Sequence, residues 1–321
     1  MSLSSNSGRG SFNAAPRSAE VWDGSHIPHS SRVLGATGNN LNSSNLDYMA
    51  EEFDEYLALQ MSNVPVDFVS EDGLTDGTLN KYKVLYITEP DIPAKGQQAI
   101  AQWVENGGTL AMVPGAGQGD RYDEPANILA SLAGCTPVER TYIPNALVLN
   151  ETGMIGNAPV FGKRAGQPSK GRTVTFFTDN VPAVMQSRAG KGKIIYFSFY
   201  PGLSYGRLAI GPHLNLQISS QEDFLRNLVL TPVRIAEVRP PVEVNASYVE
   251  TPMLVSSTGA AITLLNWTGA DLRSIQVTAH PAFKIRKVES VTRGTIPFHT
   301  QGDLVSFSLP LGAADIIKLE P

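Results

Sequence analysis

The chain has a single cysteine, Cys135, among its 321 residues. An intrachain disulfide and a cysteine-rich zinc site are both excluded on that count. Basic residues are also in short supply. Twenty-five Lys and Arg against 30 Asp and Glu give a formal net charge of -5, which supplies no footprint for nucleic acid or an anionic membrane. No apolar run approaches the roughly 20 residues that a membrane span needs. The opening MSLSSNSGRGSFNAAPRS lacks the apolar stretch of a signal peptide, so residues 1–18 read as a flexible leader. The expectation is a soluble chain, cytoplasmic, or exported if a signal or upstream region has been removed. Metal ligands are sparse too. His26 and His29 form a His-x-x-His pair, but Pro28 intervenes and no third ligand is obvious, so no metal and no cofactor is expected. What remains is an ordinary globular composition, 42% hydrophobic and 17% charged, long enough for two domains.

The stretch that carries most information is 109–134, TLAMVPGAGQGDRYDEPANILASLAG. Residues 109–113 read as a buried strand behind Gly107-Gly108. Gly115, Gly117 and Gly119 free the backbone for a tight turn at positive φ. Asp123 or Glu124 can cap the next helix, with Pro125 in its first turn. Ile128, Leu129 and Leu132 form the apolar stripe of that helix, and Gly134 suits its C-terminal cap. In an α/β protein such a strand-to-helix crossing is where a functional site is expected.

Either side of it, helical and extended patterns alternate. Leu46, Met49, Phe53, Leu57 and Met61 recur at helical spacing, capped by Ser44 or Asn45, with Glu51, Glu52, Asp54 and Glu55 read as a solvated face. VPVDFV (64–69) and KVLYIT (83–88) read as strands. Asp91 as cap and Pro93 at its start open a helix whose inner side is Ala99, Ile100, Trp103 and Val104. Such alternation with short connections predicts a parallel sheet covered on both faces. Residues 136–180 are rich in Gly, Pro, Asn and Thr and read as an irregular or β-hairpin insertion. PAVMQSRAGKGKIIYFSFYPG reads as two strands about a turn at 189–192. Ser219 and Glu222 make an S-x-x-E capping box for a helix that Pro232 stops. Arg239-Pro240-Pro241 marks a boundary. Beyond it about seven short strands at roughly ten-residue spacing predict a β-sandwich. The expected division is an α/β domain over 19–236 and a sandwich over 237–321, with Trp267 in the sandwich or at the domain interface.

The phrases KYKVLYITEP, WVENGGTL, the D-E-x-N of the acidic loop and the later GKGKIIYFSFYPG resemble the middle, trimerisation domain of family 42 β-galactosidases. The C-terminal strands are similar to the small β-domain that ends many such glycosidases. The resemblance runs over about residues 20–321. It implies a flavodoxin-like sheet of the class I glutamine amidotransferase-like kind, used in assembly. It includes no TIM barrel, the part that holds that family's catalytic glutamates.

An amidotransferase needs a cysteine nucleophile at the elbow and a His-Glu pair near the last strand. Here the elbow reads Pro114-Gly115-Ala116-Gly117-Gln118, with neither Cys nor Ser from 114 to 123. Cys135 lies beyond the next helix and reads as a small apolar filler. Tyr200-Pro201-Gly202 stands where the resemblance would place His-Pro-Glu, and His213 has no glutamate two residues on. The first reading is therefore a non-catalytic module for assembly or ligand binding in a carbohydrate-processing protein. Its partners would be further copies of itself or a missing catalytic domain, and its candidate ligand a carbohydrate. The alternative is a carbohydrate-active hydrolase whose carboxylates are drawn from Asp120, Asp123, Glu124 and Glu89. Against it stands a structural account of the same residues, with Asp123 or Glu124 capping a helix, Arg121 paired to one of them, and Glu89 preceding a proline turn. Candidate ligand contacts are Gly115, Gln118, Arg121, Tyr122, Tyr200 and Trp22. Tyr205 joins them as an aromatic face near a predicted loop.

Overall fold

The computed structural model describes residues 17–21, 47–134, 146–148, 158–163, 170–211, 215–281 and 283–321. Trp22, His26, His29, Cys135 and His213 lie outside them. The first part of the chain contains β1 (Arg17–Val21), β2 (Val66–Val69), β3 (Tyr82–Ile87) and β4 (Thr109–Met112). They are followed by β5 (Ala146–Val148), β6 (Ala158–Val160), β7 (Arg172–Phe176), β8 (Pro182–Ala189) and β9 (Gly192–Phe197). Seven of these form one sheet in the order β2-β1-β3-β4-β9-β8-β7, and β5 and β6 pair separately. β2, β1, β3, β4 and β9 run parallel, while β8 and β7 extend the sheet antiparallel. The expected insertion over 136–180 thus supplies a small antiparallel pair and one edge strand of the main sheet.

Along β3, Val84 and Tyr86 enter one apolar core while Leu85 and Ile87 enter another, and β4 and β9 alternate in the same way. A strand buried on both faces shows a continuous apolar run, and KVLYIT does. Among the described residues six helices flank the sheet: α1 (Asp47–Gln60), α2 (Ala94–Glu105), α3 (Ile128–Ala133), α4 (Pro201–Ala209), α5 (Ser220–Val229) and α6 (Thr231–Ile235). Ile100, Trp103 and Leu129 from α2 and α3 fill the core that Leu85 and Ile87 enter; Leu225, Leu228 and Val233 from α5 and α6 fill the one that Val84 and Tyr86 enter. Among the described residues no helix is long and apolar enough to cross a membrane.

Three helix boundaries differ from the sequence reading. α3 starts at Ile128 behind Asn127, with no side-chain cap, and Asp123 stands outside it at φ 60. Pro93, not Asp91, occupies the N-cap position of α2. Pro232 opens α6 as well as following α5, because its missing N–H costs nothing in a first turn. The capping box is half made. Ser219 Oγ accepts the Glu222 N–H at 3.0 Å, but the Glu222 carboxylate turns to Arg226 instead of back to the cap.

The larger correction concerns α1. Its acidic side faces inward: Glu51, Glu52, Asp54 and Glu55 are buried, and Phe53 is 61% exposed. α4 makes this packing close. A Cβ on Gly202 would lie 2.5 Å from the Glu55 nitrogen, and one on Gly206 would strike the Asp54 carboxylate. The first turn of α4 has N–H groups with no partner of its own, and Glu51 takes two of them, from Gly202 at 3.0 Å and Leu203 at 2.6 Å. Helical periodicity finds two opposed stripes; it does not say which one turns to the core.

The remaining chain is antiparallel. Its strands are β10 (Val242–Val244), β11 (Val249–Glu250), β12 (Met253–Ser256), β13 (Gly259–Asn266) and β14 (Leu272–Ala279). After these come β15 (Lys287–Ser290), β16 (Gly294–Thr295), β17 (Phe298–Gln301), β18 (Leu304–Leu311) and β19 (Ala314–Glu320). One sheet is β10-β14-β18-β17; the other is β11-β13-β19-β15-β16 with β12 on β13. Ile262, Leu264, Val277, Phe307 and Ile317 belong to the one core they share. Trp267, just after β13, is 51% exposed.

Two polar residues fasten this part to the helices. Asn63, at φ 60, donates to the Val249 carbonyl at 3.0 Å and accepts the Thr251 N–H at 2.8 Å, as a neighbouring strand would. Arg226 bonds Glu222 at 3.1 Å, Asp223 at 2.5 Å, Ser62 at 3.2 Å and Ser247 at 3.2 Å, and its guanidinium lies 5.9 Å from the Tyr248 ring centre. Tyr248 is fully buried at φ 59. Its hydroxyl, that of Tyr205 and the Glu222 carboxylate face one another without a well-aligned hydrogen bond. Burial raises the pKa of all three. Arg226→Ala would leave Glu222 buried without its cation, a change that costs about 3–5 kcal/mol. Urea unfolding at pH 7 should show that loss; a midpoint equal to that of the unaltered chain would contradict the junction described here.

Candidate functional site

The elbow leaves β4 at Val113 and crosses to α3 through residues 114–127. Gly115 and Gly117 take φ of 92° and 62°, a region that costs side-chain-bearing residues energy. The turn then folds back on the end of β3. Gly117 N–H donates to the Glu89 carbonyl at 2.8 Å and Gly119 N–H to the Pro90 carbonyl at 3.0 Å. In return Ile92 N–H donates to the Gly119 carbonyl at 3.0 Å, and the Gln97 side chain donates to the Ile92 and Gly119 carbonyls, each at 3.0 Å. Gly119 thus bridges Asp91 on one side and Pro125 on the other. A Cβ on Gly119 would strike the Asp91 carboxylate, and one on Gly117 would lie 2.8 Å from Leu129. The crevice at the carboxyl ends of β3 and β4 is therefore occupied by the protein's own backbone.

The carboxylates named from sequence are split by this arrangement. Glu89 is buried at 2% exposure, beneath the turn. Asp120 is half-buried, and its Oδ1 accepts the N–H groups of Tyr122 at 2.8 Å and Glu124 at 3.2 Å, so it shapes its own loop. Arg121, Tyr122, Asp123 and Glu124 are exposed. Of the ligand candidates, Gly115 and Gln118 are half-buried, and the Gln118 carbonyl accepts the Ala126 N–H at 2.8 Å. Tyr122, 73% exposed, presents its ring to solvent. Tyr200 does not. It is 4% exposed, its hydroxyl reaches the Pro114 carbonyl at 3.4 Å, and its ring fills the space that Gly162 leaves. Tyr205 lies within α4 and is fully buried. Trp22 falls outside the described residues. Among those residues no group of three or more His, Cys, Asp or Glu is placed to hold a metal.

Two perturbed acids, Glu51 and Asp54, are ones the sequence reading put in solvent. Burial pushes Glu51 up to about 8, against the lowering effect of the Leu203 and Gly202 N–H groups and of Glu55. Burial likewise pushes Asp54 up to about 7, with Arg207 acting in the opposite sense. Perturbed acids are a common mark of active sites. Here both Glu51 oxygens already hold backbone N–H groups, so this cluster anchors α4. The Glu51–Glu55 pair keeps a proton that the unfolded chain releases near the ordinary carboxylate range. The folded state then binds more protons above about pH 4.5, and stability falls as pH rises toward about 8. The expected loss between pH 5 and 8.5 is on the order of 2–4 kcal/mol. Glu55→Gln supplies the hydrogen permanently and should flatten the slope in denaturant titrations. A wild-type profile already flat over that range would contradict this assignment.

The fold and the elbow together define a mixed α/β part, with a parallel-containing sheet and a self-filled crevice, followed by two antiparallel sheets. No family profile matches the sequence, and no curated protein does. Solved structures do share the fold. Gan42B, a GH42 β-galactosidase from G. stearothermophilus, superposes with a TM-score of 0.67 at 15% identity, over 95% of this chain and 40% of its own. A β-galactosidase from Bacillus circulans sp. alkalophilus gives 0.66 at 16%, over 95% and 41%. The α-L-fucosidase isoenzyme 2 from Paenibacillus thiaminolyticus gives 0.61 at 14%, over 95% and 49%. At such identities the likeness is one of fold. This chain spans 40–49% of the length of these three proteins.

Proposed function

We propose that the chain is a non-catalytic, amidotransferase-like module that serves assembly or ligand binding within a glycoside hydrolase-related protein. The observation that carries this reading is the filled elbow. The position where an amidotransferase needs a thiol holds Gly115-Ala116-Gly117, and the adjoining N–H groups of Gly117 and Gly119 are spent on carbonyls of the β3 end. Nucleophilic catalysis needs a side chain and a free oxyanion pocket at that point. The fold likeness to glycosidases supports the carbohydrate setting by analogy of architecture. The division into an α/β domain over 19–236 and a β-sandwich over 237–321 belongs to this proposal, as do the partners: further copies of the chain, or a separate catalytic domain.

The hydrolase alternative asks for two carboxylates about 5–10 Å apart across a substrate cleft. Asp120 committed to its own loop and Glu89 under the turn weigh against it. A panel of nitrophenyl glycosides should give no turnover above blank with the 321-residue chain. Sedimentation velocity on the same sample should find species larger than one chain. Turnover that Glu89→Gln or Asp120→Asn lowers by a hundredfold or more would overturn the reading in favour of the alternative.

A further inference from the structure

A second concave region lies away from the elbow, in the antiparallel part. It is an open cleft of about 690 Å³ between the β14–β15 connection and the β17–β18 hairpin, a size suited to a small ligand. Phe283, Lys284, Ile285 and Arg286 form one wall. Phe283 and Ile285 are half-buried, packing on the core and also lining the cleft, while Lys284 and Arg286 are exposed at it. The Arg286 N–H is fixed to the Glu320 carbonyl at 2.8 Å, which ties this wall to β19. The opposite wall is the hairpin, where Thr300 pairs with Val305 and Gln301 with Leu304, leaving a two-residue loop of Gly302 and Asp303. Gly302 takes φ 64 there, as such a loop demands. Thr300, Asp303 and Leu304 also line the cleft.

The cleft lining carries two cations, Lys284 and Arg286, and one carboxylate, Asp303. The chain is net acidic, at -5. Neighbouring Lys287 has two carboxylate partners, Glu289 and Glu320. Lys284 and Arg286 have no ion-pair partner among the described residues. Two free cations, one of them a guanidinium fork, suit a carboxylate. The ring of Phe283 offers an apolar face, and Asp303 and Thr300 offer acceptors and a donor for hydroxyl groups. A carboxylate, a C–H face and several hydroxyls on one small body describe an acidic sugar.

We infer that this cleft binds a uronic-acid-bearing saccharide, its carboxylate held by Lys284 and Arg286 and its ring set against Phe283. The inference rests on the carbohydrate reading above and gives it a ligand class. Trigalacturonate, titrated into the full chain and followed by amide chemical shifts, should move signals of residues 283–286 and 300–305. Galactotriose should not. The Lys284→Gln/Arg286→Gln double variant alters two exposed side chains, and should bind trigalacturonate at least about tenfold more weakly with an unchanged circular dichroism spectrum. Equal shifts from the neutral sugar, equal shifts from inorganic sulfate, or shifts that the double variant leaves intact would each overturn the proposal. So would the absence of shifts at 10 mM trigalacturonate. A blank titration leaves the non-catalytic reading standing, because glycoside turnover and sedimentation decide that separately.

Discussion

The end of β4 is held by backbone, and much of the α/β part follows from that. A turn that crosses the top of a parallel sheet has N–H and C=O groups that must find partners once buried. Each buried group left without one costs about 1–3 kcal/mol. Here Gly117 and Gly119 donate to carbonyls of the segment after β3, Ile92 of that segment donates back to the Gly119 carbonyl, and Gln97 on α2 donates to the same carbonyl. The ends of β3 and β4, the start of α2 and the approach to α3 are thereby locked together. Only glycine fits, since a side chain at 119 meets Asp91 and one at 117 meets Leu129. The same economy that stabilises the turn removes the open crevice in which an α/β enzyme usually works.

A second constraint acts on the opposite side of the sheet, where charge is buried. Arg226 gathers α5, the turn after α1 and the segment before β11, while Asn63 completes the edge of β11 itself. Both contacts leave α1 and its following turn fixed between α4 and the antiparallel sheets. α1 in turn is seated by its acids, with Glu51 on the N-terminus of α4 and Asp54 against Gly206. The arrangement is stable only while the Glu222 charge keeps its cation and the Glu51–Glu55 pair keeps its proton. The helical layer and the antiparallel part are thus linked by electrostatics as much as by apolar packing.

Much of the fold was legible in the sequence because it rests on local, periodic signals. The continuous runs at β3 and β4, the turn before β9 and the Ser219 cap appear where pattern placed them; of the seven C-terminal stretches VEVNASYV splits into β10 and β11 on different sheets, and β16 and β17 are additional. Trp103 is core, packed against Gly108. What pattern could not give was the sense of an amphipathic helix when both faces have partners: the acids of α1 read as solvated because nothing local reveals that Gly202 and Gly206 bring α4 against them. The Gly-x-x-x-Gly spacing in α4 was the available signal. The candidate site was legible only as a location. Gly115, Gly117 and Gly119 announced a tight turn, but whether such a turn opens or fills a crevice depends on Asp91 and Gln97, some 20 residues away. Tyr200 and Tyr205 sat near predicted loops yet are buried, because the helix α4 begins immediately after Tyr200 and carries both rings inward.

The measurement that bears most directly on the filled elbow is native-state hydrogen exchange at individual amides. The N–H groups of Ile92, Gly117 and Gly119 should be protected to the same degree as those of β4, since they are bonded within the same unit. The amides of Arg121 and Asp123, in the exposed loop, should exchange far faster. Exchange at Gly117 and Gly119 as fast as at Arg121 would mean that the turn opens freely and that its own backbone does not fill the elbow.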